Sequence, residues 1–143
     1  MLKGSCLCGG VEFEFKKDLG PFELCHCSKC RKVSGSAFLP SVTVSKQGFR
    51  FVKGTELIKL YNAPILQAPP AYRSSFCKVC GSPVPDPTDN SDELEIPAGT
   101  ISGELESSPD KHIYVDSKAS WFNIEQKLPQ FTSSEIKEHR LKK

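Results

Sequence analysis

The chain has 143 residues, of which 38% are hydrophobic and 25% charged, and its formal net charge is +2. That length gives one domain with a core large enough to fold without staples. No apolar run approaches the ~20 residues of a membrane span, Met1-Leu2-Lys3-Gly4 does not open an export signal, and so small a charge selects neither an acidic nor a basic partner. Eleven prolines and ten glycines predict a mainly β fold of short strands and turns with short helices. Val11, Phe13 and Phe15 alternate with Glu12, Glu14 and Lys16, which predicts a half-buried strand. Ser28–Val33 has the length of a short helix. Strands are expected at Phe38–Val44, Phe49–Val52 and Leu57–Tyr61, separated by glycine-containing turns at Gly48 and Gly54. Further strands follow at Tyr72–Phe76, Leu94–Ile101 and His112–Val115, and Ser133–Leu141 reads as a terminal helix with a serine cap. The proline-rich passages 62–71 and 82–91 read as loops inside one domain, 1–130, with 131–143 as a helical tail.

Seven cysteines dominate the chemistry, in three groups: Cys6 and Cys8; Cys25, Cys27 and Cys30; Cys77 and Cys80. With no export signal the expected compartment is the cytoplasm, where thiols stay reduced and clustered cysteines serve metals or catalysis. Disulfides between such near neighbours are strained, whereas a short knuckle chelates one metal easily. Gly9 and Gly81 each follow a cysteine, where a knuckle bend needs positive φ. Structural zinc sites take four ligands and catalytic ones commonly three. The seven therefore divide as a closed structural site, Cys6, Cys8, Cys77 and Cys80, and an open site, Cys25, Cys27 and Cys30. Two zinc ions per chain are the expected cofactors. Iron–sulfur clusters use four cysteines each at other spacings, and no βαβ pattern frames Cys77 and Cys80 for redox work.

Three thiolates make zinc a weak acidifier of water and favour a soft fourth ligand, so a thiol substrate fits better than metal-hydroxide hydrolysis. The competing reading is a second structural site whose fourth ligand is His26, His112, His139 or a carboxylate. Between two ligands of a tight turn, the His26 ring is expected to point away from the metal, beside the site or at the surface. Lys29, Arg31 and Lys32 place positive charge at the central group, while residues 83–110 carry eight acidic and no basic residues. A separate possibility is a non-catalytic zinc-stabilised module that binds protein or nucleic acid. The basic tail Lys137–Lys143 has no interleaved aromatics, which argues against nucleic acid.

Gly4-Ser5-Cys6-Leu7-Cys8-Gly9-Gly10, Cys25-His26-Cys27-Ser28-Lys29-Cys30-Arg31 and Phe76-Cys77-Lys78-Val79-Cys80-Gly81-Ser82 occur in this order, followed by His112–Trp121. Together they resemble the glutathione-dependent formaldehyde-activating enzyme family, also called centromere-protein-V-like. The resemblance spans about residues 4–123. It implies a β-tent fold and two zinc ions, the structural one on Cys6, Cys8, Cys77 and Cys80 and the catalytic one on Cys25, Cys27 and Cys30. It also implies condensation of formaldehyde with glutathione, classed as a carbon–sulfur lyase by its reverse direction. Lys29 and Arg31 are then candidates for glutathione's carboxylates. Asp116, Ser117, Lys118 and Trp121 are candidates for the site lining, against the alternative of a strand end with a core tryptophan. The proline-rich passages are where this chain departs most from the family.

Overall fold

The computed structural model describes residues 1–64 and 72–142. The protein is mainly β. Among the described residues eleven strands run in the order β1 Leu2–Ser5, β2 Glu12–Phe15, β3 Leu19–Cys25, β4 Leu39–Ser45, β5 Phe49–Lys53, β6 Ile58–Asn62, β7 Arg73–Cys77, β8 Glu93–Pro97, β9 Ile101–Ser102, β10 Lys111–Ile113 and β11 Gln130–Phe131. Two helices, α1 Ser28–Ser34 and α2 Ser133–Leu141, join short 3₁₀ turns in completing the described structure. No helix among the described residues is long and apolar enough to cross a membrane. The chain forms two compact units, one from Met1–Gly20 with Val42–Glu106 and the other from Pro21–Ser41 with Ser107–Lys143.

In the first unit an antiparallel sheet has the order β5-β2-β1-β9. Alternation in β2 puts Phe13 and Phe15 on one face, where both are almost fully buried. Phe13 packs on Phe49 with centroids 5.7 Å apart, and Phe49 meets Phe51 edge-on at 5.0 Å. The hairpin β6–β7 pairs Ile58 with Cys77, and β8 lies beside β4. Cys6, Val11, Cys77 and Val84 form a buried cluster against Phe51, Leu57 and Ile58. Gly54 has φ +81°, and a Cβ there would lie 2.0 Å from the Gly10 carbonyl oxygen. Only glycine fits so close a backbone approach.

In the second unit the strand order is β11-β10-β3, and both pairings are parallel. Their register sets Lys111 opposite Glu23 and Ile113 opposite Cys25. Glu23 is a buried carboxylate held by two cations, Lys111 at 3.6 Å and Arg140 of α2 at 2.7 Å. Pairing is what makes such burial tolerable. α2 is fastened by that contact and by Ile136, which is fully buried.

Several elements differ from the sequence reading. β1 and β3 were not expected, because Lys3-Gly4-Ser5 is polar and β3 contains Gly20-Pro21. The expected strand Leu94–Ile101 is broken by a 3₁₀ turn at Ala98–Thr100, after Pro97. The strand expected over His112–Val115 stops at Ile113, since Tyr114 turns to φ +57°. α2 begins where predicted, but its cap is Thr132, which accepts from the Glu135 N–H while Glu135 bonds back to the Thr132 N–H. Of the two proline-rich passages, residues 65–71 lie outside the described residues. The other, 82–91, is irregular and anchored by buried Val84 and Pro85.

Candidate functional site

In the first unit the sequence makes two similar bends. Gly9 (φ +70°) follows Cys8, and its N–H bonds to the Cys6 carbonyl at 3.0 Å. Gly81 (φ +76°) follows Cys80, and its N–H bonds to the Cys77 carbonyl at 2.8 Å. These bends bring the sulfurs of Cys6, Cys8, Cys77 and Cys80 within 4.8 Å of one another. Cys6 Sγ lies 3.5 Å from Cys8 Sγ, and Cys8 Sγ lies 3.9 Å from Cys77 Sγ. A tetrahedron of thiolates at the zinc–sulfur distance of about 2.3 Å has edges of about 3.8 Å. The four sulfurs therefore fit one such ion.

Backbone and hydroxyl dipoles offset the charge of these thiolates. The Ser82 hydroxyl, with the Ser82 and Cys8 N–H groups after it, holds Cys80 down to about 5. Burial pushes Cys6 up, but the Val11 N–H, 3.2 Å from its sulfur, and neighbouring thiols bring the net shift below the ordinary value. Ser82 also accepts the Leu7 N–H at 3.0 Å, which ties the second bend to the first.

In the second unit β3 ends at Cys25 and α1 starts at Ser28, so the central triplet sits on the strand-to-helix turn. Cys27 is the helix N-cap, and its sulfur accepts the Cys30 N–H at 3.3 Å. Gly35, with φ +64°, ends the helix after two turns. The sulfurs of Cys25, Cys27 and Cys30 lie within 4.8 Å of one another. Without a cation the three share charge unequally. Hydrogen bonds from the Cys25 and then the Cys30 thiol draw Cys27 down to about 2. The bond to Cys27 pushes Cys25 up to about 12, and contacts with Cys25 and then Cys27 push Cys30 up. One thiolate flanked by two thiols is a set that a divalent ion can convert to three thiolates by displacing protons.

No histidine or carboxylate joins either cysteine group among the described residues. His26 does point away from the sulfurs, yet it is not at the surface: it is fully buried. Its Nε2 lies 2.8 Å from Nδ1 of His112, also buried. Burial, with the nearby His112 next, lowers His26 to about 4, and burial lowers His112 too. His26 Nδ1 has no hydrogen-bond partner among the described residues, whereas the Gln126 side chain reaches the His112 imidazole. Phe38 and Phe122 enclose the pair, with ring centroids 5.3 Å and 6.0 Å from His26. His139, the third candidate, packs on Phe131 at 5.0 Å.

Arg31 follows Cys30 and has a buried Nε with no partner among the described residues. Lys29 is half-buried on the same helix. Asp116 does not face the thiols; it accepts the Ser133 N–H at 3.0 Å and the Ser133 hydroxyl at 2.6 Å. Lys118 donates to the Phe122 carbonyl at 2.5 Å and fixes the following bend. Trp121 is 71% exposed and is not a core residue. Sequence reasoning singled out neither Tyr114, Phe38 nor Phe122. Tyr114 is the one non-glycine residue with positive φ among the described residues, and it follows Ile113, whose carbonyl takes the His26 N–H at 2.9 Å.

The glutathione-dependent formaldehyde-activating enzyme model matches residues 1–117. A Halomonas elongata protein named as a candidate glutathione-dependent formaldehyde-activating enzyme is 32% identical over 130 residues, covering 87% of this chain and 82% of the relative. A crystal structure of a Rhodobacter sphaeroides protein superposes with a TM-score of 0.55 at 27% identity, over 75% of this chain and 97% of the other. The matched span, residues 1–117, includes all three cysteine groups as well as His26 and His112. The chain belongs to the glutathione-dependent formaldehyde-activating enzyme family.

Proposed function

We propose that this protein is a zinc-dependent carbon–sulfur lyase that makes and breaks the adduct of formaldehyde with a glutathione-like thiol. The carrying observation is the difference between the two cysteine groups: four sulfurs converge in one unit and three in the other. On this reading Cys6, Cys8, Cys77 and Cys80 hold a structural ion, and Cys25, Cys27 and Cys30 hold the catalytic one. Cys25, Cys27 and Cys30 would hold a zinc ion, which would supply a soft acceptor favouring an ionised substrate sulfur. In the synthetic direction that sulfur bonds to the aldehyde carbon, the carbonyl π bond opens onto oxygen, and the oxygen takes up the proton the thiol gave up. The reverse breaks the carbon–sulfur bond and returns both reactants.

The chain's own residues bind and orient. On this reading Arg31, whose buried Nε has no partner among the described residues, takes a substrate carboxylate, and Lys29 adds charge on the same helix. His26, between Cys25 and Cys27 in sequence, is buried and fixed by its contact with His112. The unbridged thiols fit a reducing compartment such as the cytoplasm.

The test uses metal-replete protein with glutathione and formaldehyde, following exchange into the adduct by NMR. Acceleration over buffer, and its loss in Cys27→Ser with the fold retained, is the expected result. No acceleration by protein carrying two zinc ions per chain would overturn the assignment.

A further inference from the structure

Among the described residues a positive φ occurs at Gly9, Gly35, Gly54, Gly81 and Gly103, and at one residue that is not glycine, Tyr114. Tyr114 has φ +57° and ψ +40°. Glycine adopts that conformation freely, whereas a bulky residue is strained there and persists only where its surroundings hold it. Its neighbours do hold it. The Ile113 carbonyl, on the peptide that leads into Tyr114, accepts the His26 N–H at 2.9 Å, and the Tyr114 carbonyl accepts the Ser117 N–H at 3.0 Å. The turn that follows is tied to α2 by Asp116, which accepts from Ser133. A large side chain kept where glycine is the easier choice points to a role for that side chain.

Its place is beside the cysteine triplet. Parallel pairing sets Ile113 opposite Cys25, so Tyr114 follows at the level of His26, between Cys25 and Cys27. An extended Tyr114 would continue the alternation of β10; the left-handed turn re-aims its ring. The residue is half-buried. Burial pushes its hydroxyl up, Arg140 opposes, and charge on Cys25, Cys27 and Cys30 pushes it further up. The hydroxyl thus lies within electrostatic reach of the whole triplet and carries its proton at neutral pH. Other side chains next to the triplet are committed elsewhere: His26 is buried against His112, and Asp116 is bonded to Ser133. Tyr114 is left as an uncharged O–H donor beside the three sulfurs.

We propose that Tyr114 is a catalytic residue whose hydroxyl donates a hydrogen bond to the aldehyde oxygen as the adduct forms. This rests on the thiol–aldehyde reading of the triplet. As the substrate sulfur bonds to carbon, the carbonyl π pair moves onto oxygen, where negative charge develops. A donor fixed in advance by the backbone binds that oxygen more strongly than it binds the oxygen of the free aldehyde. The oxygen then takes the proton released by the thiol, and Tyr114 keeps its own. In reverse, the same bond holds the oxygen while the adduct loses its hydroxyl proton and the carbon–sulfur bond breaks.

Two measurements on the zinc-loaded full chain test it. Tyr114→Phe removes one oxygen atom and leaves the ring and the backbone unchanged. With zinc content equal to that of the wild type, its kcat for adduct formation is expected to fall about a hundredfold, while KM for glutathione stays within about twofold. A kcat within about threefold of an active wild type would overturn the proposal and leave the lyase reading standing. The second measurement needs no turnover. The chain has three tyrosines, so ¹³Cζ-tyrosine labelling gives few resonances, and Tyr114→Phe assigns one by its loss. Glutathione and formaldehyde in excess, which form the adduct in solution, are expected to move the Tyr114 ¹³Cζ resonance of the wild type. S-methylglutathione, which lacks the adduct oxygen, is expected to leave it in place. A resonance that moves alike with both ligands, or with neither, would overturn the donor role. If the wild type itself gives no acceleration, the lyase reading falls and this proposal with it.

Discussion

Gly54 shows how much of the first unit depends on one missing methyl group. Its positive φ alone would cost another residue about 1–2 kcal/mol, and the Cβ would collide with backbone that cannot rotate away. Gly54→Ala is expected to destabilise the protein by at least about 2 kcal/mol, read as a lower urea midpoint at unchanged slope. The buried imidazoles give a pH dependence of definite sign. Folding lowers His26 from its ordinary 6.5 to about 4 and lowers His112 as well. Below 6.5 the unfolded chain binds protons that the folded one refuses, so this contribution is whole above pH 6.5 and drains away as the pH falls toward 4. Each histidine can steepen the acid limb by up to about 1.4 kcal/mol per pH unit. Urea unfolding at pH 6.5, 5.5 and 4.5 is expected to show a shallower limb for a His26→Gln/His112→Gln variant than for the wild type. Thiolate protonation is common to both proteins, so their difference isolates the histidines. The seven cysteines and the division into four and three were legible from spacing, because knuckle bends are local. The His26–His112 contact was not, since it depends on the parallel register of β3 and β10, which no local pattern encodes.

Among the elements, those with strong alternation or caps were the readable ones. β2 was legible because Phe13 and Phe15 must share a buried face. β3 was hidden by Gly20-Pro21, and its burial comes from pairing partners, β10 and others, that lie far along the chain. α2 has a mostly polar sequence and depends on its ends. The reciprocal Thr132–Glu135 cap closes one end, and the Arg140–Glu23 contact secures the other. Thr132→Ala is expected to cost about 1 kcal/mol, seen as faster amide exchange across Ser133–Ile136 with little change in the first unit. Thr132→Ser is expected to keep most of the cap.

For the whole molecule, the two cysteine groups belong to different units, and the proposed function gives them different tasks. The first joins Cys6 and Cys8 to Cys77 and Cys80, about seventy residues on, so metal binding there acts directly as folding free energy. Cys77→Ser is expected to lower the zinc content by one per chain and to unfold the first unit at temperatures the wild type withstands. Cys30→Ser is expected to lower the zinc content equally and to abolish adduct formation, while the thermal transition of the first unit persists. Zinc analysis, circular dichroism and the NMR exchange assay on the same preparations separate these outcomes.

The exposed Trp121 has a practical consequence. It is the only tryptophan in the sequence, and its ring stands edge-on to Phe122 with centroids 6.3 Å apart. Phe122 also lines, with Phe38 and His112, a cavity of about 390 Å³. The unmodified protein thus contains a single indole one ring away from that cavity, bathed in solvent and selectively excited at the red edge of tyrosine absorption. A group that enters and shifts Phe122 changes the surroundings of that indole, so occupancy can be followed by emission maximum and by acrylamide quenching, with no label attached.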